Sequence, residues 1–245
     1  MISKISIIGT GNVANWYFQT LSHQNKNQIT VQQVSARDLS QLFTDSDLYI
    51  FSVKDDVYQA VIADIPFTMP LAVHTAGALS IEIFQKKAVH FGALYPYQTI
   101  YCQNAEQYNP TLEVPICVEG DQEKTTLLLL EFAKTVSSKV YQINFEERHT
   151  IHLAAVFASN FSTIIYDIAY QIIQKKGIDW QIMVPLLEET VRKTKVQKPI
   201  NALTGPAKRN DLKIIEKHLQ ELKDTPYESI YRLITDYIIQ QEKNR

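Results

Sequence analysis

Cysteine is nearly missing: the 245 residues contain two, Cys102 and Cys117. Two thiols cannot build a disulfide framework, and Cys117 lies in an apolar, strand-like run where a buried reduced thiol is expected. No sign of charge dominates either. Lysine and arginine number 24 against 26 acidic residues, a formal net charge of -2, which gives no general attraction to nucleic acid or to an anionic membrane. No secretory leader is legible, because Gly9 interrupts the apolar opening Ile2 to Ile8 too early for a signal core or a membrane span. Repeats and low-complexity tracts are absent, and no metal-ligating set is expected. These absences leave a soluble, cytoplasmic protein as the expectation, with neither nucleic acid nor membrane as a partner. The 45% of apolar residues suffice for a real core.

What is present divides near Asn144. Before it, apolar runs with strand character (Lys4 to Ile8, Thr30 to Val34, Asp47 to Val53, Leu71 to His74, Val114 to Glu119, Lys139 to Ile143) alternate with short helical patterns (Asn12 to His23, Val57 to Asp64, Lys124 to Ser137). A short amphipathic piece is read at Asp38 to Phe43. Such alternation predicts βαβ units and a doubly wound parallel sheet of Rossmann type. After it, Glu147 to Lys176 contains neither proline nor glycine and spaces its apolar residues helically, with Gly177 placed to end the helix. Further helices are read at Trp180 to Val196, Leu212 to Lys223 and Pro226 to Glu242. The expected architecture is an α/β Rossmann domain over residues 1–143 followed by an all-α domain over 144–245.

Gly9-Thr10-Gly11-Asn12-Val13-Ala14 is a G-x-G-x-x-A string that follows the first strand and opens the first helix. That context turns a weak motif into a dinucleotide site. Gly9 permits the tight turn, Gly11 lets a pyrophosphate approach the backbone, and Ala14 lets helix and strand pack closely. The helix N-terminus offers unpaired N–H groups and a positive dipole end. At the end of the second strand, an acidic residue would bind the ribose 2′-hydroxyl of NAD. Here stand Ser35, Ala36 and Arg37, which suit a 2′-phosphate. NADP is the favoured cofactor, and NAD stays open because Asp38 follows. Val53 and Lys54, and next His74 and Thr75, end the following strands on the side that faces the ligand crevice.

On the long helix, Ala154, Ala158, Phe161, Ile165, Ile168 and Ile172 make one apolar face. His152, Val156, Ser159, Asn160 and Thr163 make a second stripe, polar but uncharged, which suits a cleft or a protein interface better than solvent. Two uncharged faces exceed what about 100 residues readily bury alone, so a homodimer through the helical half is expected.

The glycine string, His74-Thr75-Ala76-Gly77-Ala78, Pro96, the run His152 to Phe161, and Ala202-Leu203-Thr204-Gly205-Pro206 with Arg209 and Asp211 together resemble a group of Rossmann-like bacterial proteins. Their C-terminal helical module is a domain of unknown function (the 2520 type). The group is similar to a superfamily containing pyrroline-5-carboxylate reductase, the β-hydroxyacid dehydrogenases and the deazaflavin-dependent NADP oxidoreductases. The resemblance implies an NADP-binding domain, a helical second domain and a dimer built by that domain. This chain departs from the group at Tyr95, where relatives tend to carry His before the proline. It departs again at Ala76, where they tend to carry Ser, and at Asn210, where they tend to carry Gly. Asn160 looks like the helix Asn of the β-hydroxyacid dehydrogenases, but Val156 stands where their proton-donating Lys would be.

The reading that follows is an oxidoreductase moving hydride to or from a small carbonyl, imine or hydroxy compound. A non-catalytic dinucleotide-binding sensor or partner protein is the alternative. His152 is the first acid/base candidate, since imidazole exchanges protons near neutrality, with His74 and Tyr95 competing and Asn160 orienting the substrate. Ser159, Thr204 and Arg209 are the substrate-binding candidates, Arg209 as a clamp for a carboxylate or phosphate unless Asn210 or Asp211 merely caps the next helix. The active cleft is expected between the domains.

Overall fold

The computed structural model describes residues 2–23 and 29–244. Its first elements are β1 (Lys4–Ile8), α1 (Asn12–His23), β2 (Thr30–Val34), β3 (Leu48–Phe51), α2 (Tyr58–Ala63), β4 (Met69–His74), β5 (Ala88–Pro96), β6 (Ile116–Gly120), α3 (Glu123–Ala133) and β7 (Val140–Gln142). One sheet holds seven strands in the order β2-β1-β3-β4-β5-β6-β7. All neighbours run parallel except β5 and β6, which pair antiparallel from Gly92↔Gly120 to Pro96↔Ile116. This is the expected Rossmann architecture with one reversed pair.

Alternation along the strands splits the core into two layers, because successive side chains leave a strand on opposite faces. Ile5, Ile7, Leu48, Ile50, Leu71 and Val73 pack with Trp16, Tyr17 and Leu21 of α1 and Leu129 and Phe132 of α3. Ile8, Tyr49, Phe51 and Ala72 pack on the other face with Tyr58, Val61 and Ile62 of α2 and with Phe84. Two segments differ from the sequence reading. The run Asp38 to Phe43 forms turns with no helix, and β5 fills a stretch that carried no strand assignment.

The later elements are α4 (Phe145–Ala155), a π-helical turn (Val156–Phe161), α5 (Ser162–Gln174), α6 (Val184–Val196), α7 (Pro199–Ala202), α8 (Leu212–Glu221) and α9 (Tyr227–Lys243). Helix α4 starts with a capping box. The Asn144 side chain accepts from the Glu147 N–H at 2.9 Å, and Glu147 Oε2 accepts from the Asn144 N–H at 2.9 Å. The chain resolves into two compact units, Met1–Asn160 and Phe161–Arg245. The α/β unit therefore keeps α4 and most of the π turn. In the second unit, α8 is tied to α9 by a 2.9 Å hydrogen bond between His218 Nδ1 and the Tyr231 hydroxyl. Asp211 caps α8 by accepting from the Ile214 N–H, as the capping alternative for this segment anticipated. The continuous helical stretch Phe145–Gln174 is long and apolar enough, by length and composition alone, to cross a membrane.

Candidate functional site

The glycine loop sits at the carboxyl end of β1, where β2 lies to one side and β3 to the other. In open α/β sheets such a reversal of strand order opens the ligand crevice. A cleft of about 850 Å³ occupies this place, lined by Gly9 to Val13, Ser35 to Arg37, Ser52 to Lys54, Asp56, Val57, Val61 and Ile100. The two glycines serve different ends. Gly9 has φ +135°, and a Cβ there would lie 2.0 Å from the Ser52 carbonyl oxygen, so the fold itself demands glycine. A Cβ on Gly11 would meet nothing within 4 Å. The protein does not need that glycine, and a pyrophosphate approaching the helix N-terminus does.

Strand β2 ends at Val34, so Ser35 and Arg37 follow it directly into the cleft, with Arg37 exposed. Asp38 does not line the cleft. Its carboxylate accepts from the Ser40 N–H at 3.0 Å, and the hydrogen bonds to Ser40 hold it below the ordinary carboxylate range. That local engagement favours the phosphate-binding reading over the ribose-hydroxyl one. Of the remaining nucleotide candidates, Thr10, Asn12, Val13, Val53 and Lys54 line the cleft. Ala14 is fully buried beneath it. Thr75 stands behind the cleft and donates from Oγ1 to Ser52 Oγ at 3.1 Å.

A second cleft, of about 420 Å³, is lined by Tyr95, Tyr97, Gln98, Thr99, His152, Ala155, Val156, Ala158, Ser159 and Asn160. Its residues come from both sides of the 143/144 boundary read in the sequence, and all of them fall in the first compact unit. It adjoins the nucleotide cleft through the segment after β5, since Thr99 lines one and Ile100 the other. The polar stripe of the helix faces it. The Tyr95 hydroxyl lies 3.0 Å from His152 Nδ1, and the Thr99 and Ser159 hydroxyls are 3.0 Å apart. Burial, with Tyr97 nearby, pushes the Tyr95 phenol up to about 12. At neutral pH the phenol keeps its proton, and it shares with Nδ1 a hydrogen bond whose direction follows the imidazole tautomer. Asn160 and Ser159 sit in the π turn, a local widening of the helix often found at functional sites.

His74 is corrected. It is fully buried and lines neither cleft; its Nδ1 accepts from the Ala76 N–H at 3.2 Å, and its ring packs beside Phe84 and Tyr58. Burial, aided by the Arg148 charge, pulls its pKa down to about 3. A neutral core histidine of this kind is no proton donor at physiological pH. Thr204 and Arg209 lie in the second unit, where both are exposed.

Sequence reasoning missed Arg148 altogether. Its guanidinium is fully buried and ion-paired with Glu119 at 2.8 Å. It also missed Tyr97, Gln98 and Thr99, which follow the unrecognised strand β5. A capping box before an arginine one turn ahead of His152 was the available signal.

A family model for a domain of unknown function, DUF2520, matches residues 114–238. The chain belongs to this family. No curated protein matches the sequence. Among solved structures, the chain is similar to a "putative NADP oxidoreductase" from Bacteroides fragilis, with 28% identity, a TM-score of 0.84 and 98% of each chain covered. It is also similar to protein TM1727 from Thermotoga maritima, with 21% identity, a TM-score of 0.70 and 98% of each chain covered. More distantly, it shares its fold with the 1-pyrroline-5-carboxylate reductase of Streptococcus pyogenes, at 14% identity and a TM-score of 0.58, with 99% of this chain and 98% of that one covered.

Proposed function

We propose that this DUF2520 protein is an NADP-dependent oxidoreductase that moves hydride to or from a small carbonyl, imine or hydroxy compound. The observation that carries the reading is the pairing of two adjoining clefts in one unit. One has an open cradle at Gly11 beside Ser35 and Arg37; the other has a tyrosine–histidine pair with an uncharged polar wall. The naming of the Bacteroides fragilis relative as an NADP oxidoreductase supports it.

Gly9 to Val13 would hold the pyrophosphate at the α1 N-terminus, and Ser35 and Arg37 the 2′-phosphate. Bound there, the dinucleotide supplies or accepts the hydride. In the reducing direction a proton must also reach the carbonyl oxygen or imine nitrogen. Val156 offers no lysine for this, and among the described residues no Asp, Glu, Lys or Arg lines the second cleft, so the Tyr95–His152 pair is the proton source. Asn160 and Gln98 offer amide donors to orient the acceptor atom, while Ala155, Val156 and Ala158 exclude water on the helix side. We further propose a homodimer through the second unit. Among its described residues only Ala207, Ile215 and Thr235 are buried, while Phe161, Ile164, Ile165, Tyr170 and Ile172 are exposed. A partner protein surface would cover so large an apolar area.

The test is NADPH binding by fluorescence, followed by NADPH consumption against a panel of aldehydes, ketones and cyclic imines. Gly11→Asp should abolish binding, because a carboxylate then occupies the phosphate cradle. His152→Ala should lower turnover by at least about a hundredfold, typical of acid/base loss, with little change in NADPH affinity. Tight NADPH binding without turnover across the panel would favour the non-catalytic dinucleotide-binding reading, for which Val156 in the lysine position argues.

A further inference from the structure

Arg148 is the largest of the fully buried side chains. It donates from Nη2 and Nε to Glu119 Oε2 at 2.8 and 3.3 Å, and from Nη1 to the carbonyl oxygens of Ala76 and Gly77 at 2.8 and 3.2 Å. Burying an ion pair costs several kcal/mol per ion, and well-packed apolar residues often serve stability as well or better. Stability alone therefore does not account for an arginine here. What it holds does. A Cβ on Gly77 would lie 2.4 Å from His152 Nδ1, so the peptide gripped by Arg148 is the surface against which the imidazole lies. The other edge of the same segment reaches the nucleotide cleft, where Thr75 bonds Ser52.

We propose that Arg148 is a positioning residue for the Tyr95–His152 pair. It clamps the Ala76–Gly77 peptide against the imidazole, and Glu119 balances its charge, so that Nδ1 accepts from Tyr95 and the ring proton stays on Nε2. This role rests on the reading of the pair as the proton source. The titratable and charged groups around the pair are Tyr97 on the segment after β5, Cys117 and Glu119 on β6, His74 at the end of β4, and Arg148 and His149 on the same helix. Of these, Arg148 and Glu119 form the buried ion pair, and removing either unbalances the charge beside the ring.

The experiment is a nitrogen-15 NMR titration of the histidines in the full-length protein, with His152→Gln identifying the His152 signal. In its neutral form the wild-type His152 ring should carry its proton on Nε2. Arg148→Met leaves Glu119 without its cation. The His152 midpoint should rise by about one unit, the scale of a nearby charge, and the single tautomer should be lost. Glu119→Gln preserves shape and an acceptor oxygen but leaves Arg148 unbalanced, so the midpoint should fall by a similar amount. Opposite shifts identify a charge-balanced clamp, whereas loosened packing would move both variants the same way. Unchanged midpoints, or shifts of one sign, overturn the proposal. Should Arg148→Met fail to fold, Glu119→Gln decides alone: a fall supports the role, and no change or a rise overturns it. None of these readouts needs turnover, so a failure of the clamp is told apart from a failure of the oxidoreductase reading, which the substrate panel tests.

Discussion

Arg37 and Ser35 flank the end of β2, and the guanidinium is exposed at the rim of the larger cleft. A planar, permanently charged fork suits a 2′-phosphate and has nothing comparable to bind in NADH. Arg37→Ala should therefore weaken NADPH at least about tenfold, a charge-assisted contact's worth, and leave NADH nearly unchanged in parallel fluorescence titrations. Equal losses for both cofactors would return the choice to NAD. His74 makes a different prediction, about stability. Its pKa falls from 6.5 in the unfolded chain to about 3 in the folded one. Above 6.5 both states are neutral and this stabilisation is fully present. Between 6.5 and 3 the unfolded chain binds the extra proton, so stability is lost as pH falls, at up to about 1.4 kcal/mol per pH unit. His74→Asn keeps an acceptor for the Ala76 N–H and removes the titration. Urea unfolding across that window should show a slope shallower by one proton in the variant.

The elements of the α/β unit follow from local pattern wherever the pattern is uninterrupted. β1, β2 and α1 stand where apolar runs and the glycine turn put them. β5 was not legible because His90 and Gly92 break its apolar run and Pro96 ends it, while its antiparallel partner β6 lies beyond a long connection. The long helix was legible in extent, but its π turn was not, since a widened turn depends on what packs against it. In the second unit, the turn before α8 places Asn210 at φ +52°. Asparagine tolerates that left-handed region, glycine adopts it without strain, and a Cβ-bearing apolar residue pays for it. Asn210→Gly should leave the thermal midpoint unchanged or slightly raised. Asn210→Ala should cost about 1 kcal/mol, the left-handed penalty, seen as a drop in the same melt.

At the scale of the whole molecule, burial is uneven. The α/β unit has two sheet-flanking core layers, whereas in the second unit nearly half of the large apolar side chains are exposed and almost none is fully buried. The homodimer proposed above would supply a cover. The N-terminal turns of the apolar stretch Phe145–Gln174 are tied to the sheet through Arg148–Glu119 and His152–Tyr95. This argues for a protein surface over lipid as the cover for the rest. Light scattering at micromolar concentration should give twice the 28.1 kDa chain mass. Ile164→Glu and Ile165→Glu should shift the mass toward the monomer. A monomeric wild type would count against the homodimer.

The sequence alone determined the parts that short-range physics writes. A glycine turn between an apolar strand and a helix is a local object, so the place of the loop between β1 and α1 was readable. A polar stripe on an apolar helix was enough to bring His152, Ser159 and Asn160 under suspicion. The tertiary structure decided which distant residues meet. Tyr95 and His152 are 57 positions apart, and Arg148 reaches 72 positions back to Ala76 and 29 back to Glu119. No fixed spacing encodes such meetings, because they arise where separate strands and a helix end converge. His74 shows the converse. Its place at a strand end suggested chemistry, but only the packing of Phe84 and Tyr58 around it revealed a desolvated, neutral ring.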